Sequence, residues 1–442
     1  MIDLQRIIED ISPTPEERDR YSRISSEVME RVRRSISSLN LNIRSELVGS
    51  AARDTNLTHA LRNSDLDIFL VFPRDADRKS LVKTGLEIGH KVLPDGIERY
   101  AEHPYVTGTV DGVKVDIVPC YDMNRGETKI SSVDRTIPHN EYLTSVLDTR
   151  TRGDIRLLKA FLIGAGLYGS EVSRGGFSGF VTELLVIRLG GFEGVVRRFS
   201  SQKGRVIVGS PEHDTKGFQD PLVVPDPVDP GRNAAAAVSL ENLSRFKIAA
   251  KLYMRKPSIG YFRTAKRREE NWRKLPDRQT TLRLVIIPRP DQVDDVIFPQ
   301  AQRLRRTLVS KLDRAGFLPL SSGIFVDHNV CVILECERGF IPIVERHVGP
   351  PVDSENALEY MDKWVGSEDR LRGPFVDGDR LVVERNRKIT RIDDYIAQEI
   401  RNSDIGKHLN ALKDQARVLN PSDLTEYDYV IDSYMSRGLF DP

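Results

Sequence analysis

Cysteine is scarce: Cys120, Cys331 and Cys336 are the only thiols in 442 residues. Three cannot staple a chain this long, and none belongs to a Cys-x-x-Cys pair, which argues against a disulfide scaffold or thiolate metal cluster. They are expected to be buried free thiols of a cytoplasmic protein. Charge of one sign is not in excess, with Lys plus Arg at 66 and Asp plus Glu at 65. A net of +1 therefore speaks against a histone-like or tail-driven binder. No apolar run approaches the ~18 residues of a bilayer span, so no membrane segment is expected. The opening Met1-Ile2-Asp3-Leu4-Gln5-Arg6 has no basic stretch followed by an apolar one, which speaks against secretion. Repeats and low-complexity tracts are absent.

What is present is a folded composition, 39% hydrophobic and 30% charged, long enough for roughly three domains. Residues 1–145 read as an α+β domain with a small antiparallel sheet. Thr14-Pro15-Glu16-Glu17 is a capping box with proline at the first helical position. Tyr21, Ile24, Val28, Val32, Ile36 and Leu39 then mark one stripe of a helix of about 25 residues. Strands are expected at Ile43–Val48, Leu66–Phe72, Tyr105–Val110 and Val113–Val118, the last two joined by the hairpin signal Asp111-Gly112. A helix fits Leu81–Val92. Residues 146–258 read as mostly helical, with helices at Asp154–Ile163, Thr182–Leu189 and Ser239–Met254. Residues 259–442 read as α+β, with strands at Leu282–Ile287 and Cys331–Cys336 and a helix at Pro299–Ala315. That helix carries Arg303, Arg305, Arg306 and Lys311. Between Tyr261 and Leu320 there are 14 Lys/Arg against 7 Asp/Glu, a net of +7 on a nearly neutral chain. A local anionic partner, or simply a solvated face, accounts for it.

The chemistry concentrates in Gly49-Ser50-Ala51-Ala52-Arg53-Asp54-Thr55 and Asp65-Leu66-Asp67. Asp65 and Asp67, two apart at the start of a strand, point to one face. Paired carboxylates repel and call for a compensating cation. In Val113-Lys114-Val115-Asp116-Ile117-Val118 the valines and isoleucine form the apolar face, so Asp116 projects from the other and completes a three-carboxylate set. Such a set bridges two Mg²⁺ ions about 3.5–4 Å apart. Gly49 lets the backbone approach a ligand, the Ser50 hydroxyl donates, and N–H groups opening a helix suit phosphate, with Arg53 one turn in.

A Gly-Ser loop, an arginine three residues later, an Asp-x-Asp on the next strand and a third carboxylate strand together resemble the DNA polymerase β-type nucleotidyltransferase superfamily. Further motifs resemble the archaeal (class I) CCA-adding tRNA nucleotidyltransferases. They include Arg99-Tyr100-Ala101-Glu102-His103-Pro104-Tyr105-Val106, Ser132-Val133-Asp134-Arg135-Thr136 and Arg156-Leu157-Leu158-Lys159. Gly166-Leu167-Tyr168-Gly169, Gly176-Phe177-Ser178-Gly179, Asp226-Pro227-Val228-Asp229 with Arg232-Asn233, and Pro257-Ser258-Ile259-Gly260-Tyr261-Phe262 match as well. The likeness is densest from 47 to 262 and thin after about 355.

The resemblance implies a sickle-shaped molecule of nucleotidyltransferase head, helical neck, and α+β body and tail. It implies template-independent addition of C, C and A to the 3′ end of tRNA from CTP and ATP. Asp65, Asp67 and Asp116 become Mg²⁺ ligands; the family usually has Glu at the first, so Asp65 keeps the charge on a shorter arm. Ser50, Arg53, His139, Lys159 and Tyr168 match positions that hold the triphosphate and sugar. Taken alone, Lys159 also suits a solvated helix face, His139 a surface site and Tyr168 a loop anchor. The planar fork of Arg232 suits the acceptor edge of C or the ring nitrogens of A; it suits a helix cap or a pair with Asp229 equally. Arg303, Arg305, Arg306 and Lys311 would contact tRNA, and a homodimer is among the assemblies allowed. A poly(A) polymerase or other terminal ribonucleotidyltransferase on the same head, and an inactive tRNA-binding protein, are the alternatives.

Overall fold

The computed structural model describes residues 2–100, 102–123, 130–171, 173–209, 217–263, 278–421 and 425–435. Residues 264–277 of the basic stretch lie outside them. The chain divides into two compact units, Met1–Lys266 and Arg267–Gly438.

The first unit opens with α1 (Leu4–Ile11) and α2 (Pro15–Ser38). The capping box forms as expected: Thr14 Oγ1 accepts from Glu17 N–H and Glu17 accepts from Thr14 N–H. After it come β1 (Arg44–Val48), α3 (Gly49–Ala52), β2 (Leu66–Phe72), α4 (Arg78–Val92), β3 (Ile97–Tyr100), β4 (Pro104–Val110) and β5 (Val113–Tyr121). Asp111 and Gly112 both adopt positive φ, +48° and +75°, the two-residue turn their sequence demands.

The sheet order is β1-β2-β5-β4-β3. It is antiparallel except where β2 lies parallel to β5, so the expected small antiparallel sheet is mixed at that pairing. The crossover through α4, β3 and β4 is long enough to bring β5 back in the direction of β2. The alternation of each strand then sorts its side chains. Leu66, Ile68, Leu70, Val113, Val115 and Ile117 pack under the stripe of α2 and under α4, while Asp67 and Asp116 fall on the opposite face.

The same unit continues with α5 (Thr136–Val146), α6 (Thr149–Gly164), α7 (Gly179–Leu189), α8 (Phe192–Ser201), the short β6 (Val206–Ile207) and β7 (Leu222–Val223), and α9 (Leu240–Arg255). These helices enclose an aromatic core around Phe161, whose ring meets Phe192, Phe246, Tyr253, Tyr261 and Phe262 at 5.6–6.1 Å between centroids. Such clusters stabilise beyond their buried area.

The second unit is built on β8 (Thr281–Pro288), α10 (Asp294–Ala315), β9 (Pro319–Val326) and β10 (Asn329–Cys336). Its other elements are β11 (Val344–Pro351), α11 (Ala357–Val365), β12 (Arg370–Asp377), β13 (Arg380–Asn386), α12 (Ile392–Asn402), α13 (Lys407–Asn410), β14 (Arg417–Leu419) and α14 (Asp428–Met435). One antiparallel sheet runs β14-β8-β10-β9 and a second β11-β13-β12. Val285 and Ile287 face α10 and α12, and Leu284 and Ile286 face α14. Burial on both faces explains why β8 runs apolar from Leu284 to Ile287. Helix α10 starts five residues before Pro299, because Asp294 and Asp295 supply the acidic first turn. All three cysteines are free and buried. Among the described residues no helix is long and apolar enough to cross a membrane.

Candidate active site

Asp67 and Asp116 stand in register on the parallel strands β2 and β5. Asp116 is buried, and its Oδ1 has no hydrogen-bond partner among the described residues. Burial raises the Asp67 carboxyl to about 6, with the Asp116 and Asp65 charges adding to the effect. Asp65 lies just before β2 and is half exposed. Lys114, two residues before Asp116 on the same face of β5, donates to Asp65 Oδ2 and to Asp116 Oδ2, each at 2.9 Å. Burial alone would lower the Lys114 ammonium, but these two bonds hold it above its usual value. Its ammonium therefore sits where two carboxylates call for a cation. With that side chain between them, the described acidic groups do not close into a three-ligand cage. An orphaned buried carboxylate oxygen and a carboxyl pushed up by its neighbours nevertheless fit a hard divalent ion with oxygen ligands.

The Gly-Ser turn is tighter than its sequence suggests. Helix α3 is a single turn that Arg53 closes, because Asp54 takes φ +50° and redirects the chain. A helix this short adds little macrodipole. Gly49 adopts φ +84°, and a Cβ there would lie 2.4 Å from Asp67 Oδ2. The glycine thus permits the turn to pass against the carboxylate. Ser50 is half-buried and accepts from Thr55 N–H through its carbonyl.

Arg53 and Lys159 meet at a residue the sequence reading did not single out, Glu183 on α7. Arg53 Nη2 donates to Glu183 Oε2 at 3.0 Å and Nη1 to Asn140 Oδ1 at 2.8 Å. Arg53 Nε is buried without a partner among the described residues. Lys159 is buried rather than on a solvated face, and donates to Thr55 O and Oγ1 at 3.0 Å and to Glu183 Oε1 at 3.2 Å. Burial pushes Lys159 down, with Glu183 opposing; Glu183, despite its own burial, is held low by Lys159 and Arg53. Tyr168, between Gly166 and Gly169, lies under the Arg62 guanidinium at 4.8 Å, and burial pushes its phenol up to about 12.

His139 and Arg232 converge on a second acid, Asp226, whose side chain is fully buried. Arg232 Nη1 donates to it at 2.7 Å and His139 Nε2 contacts both its oxygens at 2.8 and 2.9 Å. Asp229, one alternative partner for Arg232, pairs with Arg135 instead. His139 is mostly buried against the Phe180 ring, not on the surface, and burial lowers its pKa against the pull of Asp226. Arg232 stays one-third exposed and lines a cleft of about 520 Å³ with Ser170, Ser178, Phe218, Asp220 and Asn233.

In the second unit, Arg303 pairs with Asp404 and Lys311 with Glu399, and Arg305 donates to Gln302 and to the Ser322 hydroxyl. Arg306 is exposed and forms no ion pair among the described residues. The basic helix is therefore partly neutralised by its own surroundings.

Two carboxylates in register beside a glycine-serine turn, on a five-stranded mixed sheet, define a nucleotidyltransferase, and the nucleotidyltransferase domain family matches residues 29–139. Residues 153–263 match the tRNA nucleotidyltransferase second domain and 278–420 the CCA-adding enzyme C-terminal domain. The chain belongs to the CCA-adding enzyme family. It is 42% identical over 443 residues to the CCA-adding enzyme of Picrophilus torridus and 41% over 442 residues to that of Thermoplasma acidophilum, with 100% of each chain covered in both cases. The CCA-adding enzyme of Halorubrum lacusprofundi is 39% identical, across 90% of this chain and 89% of its own. Relatedness over the full length does not favour the poly(A) polymerase or inactive-protein alternatives.

Proposed function

We propose that this enzyme adds C, C and A in sequence to the 3′ end of tRNA from CTP and ATP, without a template, in the cytoplasm. The observation that carries the catalytic part is the in-register pair Asp67 and Asp116 with the orphaned Asp116 Oδ1. Nucleotidyltransferases generally use divalent metal ions; here Mg²⁺ would be held by Asp65, Asp67 and Asp116. Bound there, it supplies charge neutralisation at the phosphates and a more acidic attacking hydroxyl. The tRNA 3′-hydroxyl attacks the α-phosphorus in line and pyrophosphate leaves. The chain's own part is positioning. Ser50, Arg53 and Lys159 hold the triphosphate, the unpartnered Arg53 Nε being a donor left over for it. Tyr168 and His139 border the sugar. Arg232 presents its free edge to the base while Asp226 fixes the other. Residues 1–145 act as the catalytic head, 146–258 as the base-reading neck, and 259–442 as the tRNA-binding body and tail, through Arg303, Arg305, Arg306 and Lys311.

The test is incubation with tRNA lacking its terminal CCA, Mg²⁺ and each labelled nucleotide. Incorporation of C, C and A that stops after three additions is expected. Unlimited ATP incorporation, or none, would overturn the reading.

A further inference from the structure

Glu183 is a fully buried acid in the middle of a helix whose neighbours, Thr182, Leu184 and Leu185, are buried too. Its two oxygens take three donors from two other segments. Oε2 accepts from Arg53 Nη2, and Oε1 from Lys159 Nζ and from the Thr55 hydroxyl at 2.7 Å. Among the described residues it is the one acid that touches both Arg53 and Lys159. A buried ammonium without a counter-charge sheds its proton, and a buried carboxylate without one takes a proton up. Lys159 therefore keeps its charge because of Glu183, and Glu183 because of Lys159 and Arg53.

The geometry points to Glu183 as the internal counter-anion for nucleotide binding: a positioning residue that keeps Lys159 protonated, its charge behind the triphosphate, and aims Arg53 at that triphosphate. This rests on the reading that those two cations hold the triphosphate. Two cations against one carboxylate leave the cluster at +1, so anion attraction survives the pairing. The carboxylate takes one Nη of Arg53 and one bond from Lys159; Arg53 Nε has no partner. Around Lys159, Arg53 and Thr55 come from the loop after α3, Arg156 from its own helix, and Glu183 from α7, and the Tyr168 hydroxyl lies across Gly179 from the Lys159 stem. Glu183 is the only anion among them. Both arginines disfavour the Lys159 charge and burial disfavours it most, so the ammonium depends on Glu183.

Lys159 attracts phosphate only while protonated, so nucleotide affinity falls as pH rises through its pKa. Replacing Glu183 by Gln removes the one interaction that raises that pKa, and the alkaline limb must move to lower pH. One unit of movement corresponds to a tenfold loss of the charged form on that limb.

The experiment measures KM for CTP, ATP and tRNA, with kcat, between about pH 6 and 9 on the full chain and on Glu183→Gln, Glu183→Asp and Lys159→Met. For Glu183→Gln we expect KM for both nucleotides to rise roughly 10- to 100-fold, as loss of a charged hydrogen-bond partner implies. Its tRNA KM should change little, and its alkaline limb should move down by a unit or more. Lys159→Met should raise nucleotide KM and abolish that limb, and adding Glu183→Gln to it should move no limb further. If Glu183→Gln does not fold, Glu183→Asp serves: it keeps the charge, so nucleotide KM should rise while the limb stays in place. A raised KM with an unmoved limb in Glu183→Gln would make Glu183 a structural plug and overturn the inference alone. A shifted limb in a folded Glu183→Asp would do the same. Unchanged nucleotide KM in Lys159→Met would overturn it together with the triphosphate reading beneath it.

Discussion

Asp67 faces Asp116 across the parallel pairing of β2 with β5, one residue directly opposite the other. Burial and the neighbouring acids disfavour the Asp67 charge, whereas Asp116 also pairs with Lys114. If both hold the cation, Asp67→Asn or Asp116→Asn should reduce incorporation by several orders of magnitude, and Asp67→Asn should do so without lowering the melting temperature of the metal-free protein. Asp65→Glu, which restores the residue usual at that position in the family, should remain active. Labelled-nucleotide incorporation beside thermal unfolding of the same samples checks both halves.

Gly49→Ala should fail for two separable reasons. The backbone at φ +84° strains any side chain, by about 1–2 kcal/mol, and the new methyl would collide with Asp67 Oδ2. The variant should melt lower and lose far more activity than that destabilisation explains. Near-normal turnover in a folded Gly49→Ala protein would show that the turn does not set the Asp67 carboxylate.

Arg232→Ala tests base reading. The triphosphate contacts cannot tell bases apart, so the variant should keep most of its CTP affinity and relax rejection of UTP and GTP. One bidentate contact gives about 1–3 kcal/mol, roughly 5- to 160-fold in discrimination. Addition should still stop after three residues. Competition assays with mixed nucleotides measure this, and unaltered rejection of UTP would leave Arg232 with only its Asp226 pair.

Asp226 also sets an acid limit. Its carboxyl is lowered to about 2 from 3.8 despite burial, by His139, the Val228 N–H and Arg232. A depressed folded pKa contributes stability that is present above the unfolded value and lost as pH falls through the folded one. That contribution is about 2 kcal/mol. The stability gap between wild type and Asp226→Asn should thus be full at pH 6 and close between about pH 4 and pH 2. Denaturant unfolding at a series of pH values would reveal the narrowing or its absence.

On α10 the four basic residues should not be equal. Arg306 forms no ion pair among the described residues, whereas Arg303 already pairs with Asp404 and Lys311 with Glu399. Arg306→Ala should raise the tRNA KM more than Arg303→Ala. The double variant should flatten the salt dependence of tRNA binding while leaving nucleotide KM unchanged. Filter binding at several salt concentrations would decide it.

Local signals carried much of the fold. Thr14-Pro15-Glu16-Glu17, Asp111-Gly112 and the alternation around Asp116 each act within a few residues, and each formed as read. The failures have physical causes. Strand β3 is exposed at every residue, so it carries no alternation to detect. The parallel pairing of β2 with β5 depends on a crossover, which no hairpin signal encodes. Helix α10 hid its start because Pro299 mimics a first position. In the site, the carboxylates were legible and their partners were not. Glu183 bonds Arg53 130 residues away and Asp226 bonds His139 87 residues away, distances at which spacing carries no information. The available hint was chemical: one acid among the apolar residues of α7.

Arg152, Arg156 and Lys159 fall on one stripe of α6, and each donates to a carbonyl in the stretch from Arg53 to Asn56. The donors are made about a hundred residues after the acceptors. During synthesis, a chain that ends at Val146 has all five strands of the sheet, but the carbonyls of the loop behind its carboxylates still face water. Closing a connection that long is entropically slow. If this loop and α6 hold the triphosphate, nucleotide affinity is acquired after the carboxylate sheet, and an unfinished or truncated chain presents acids without the pocket that would let them act on RNA.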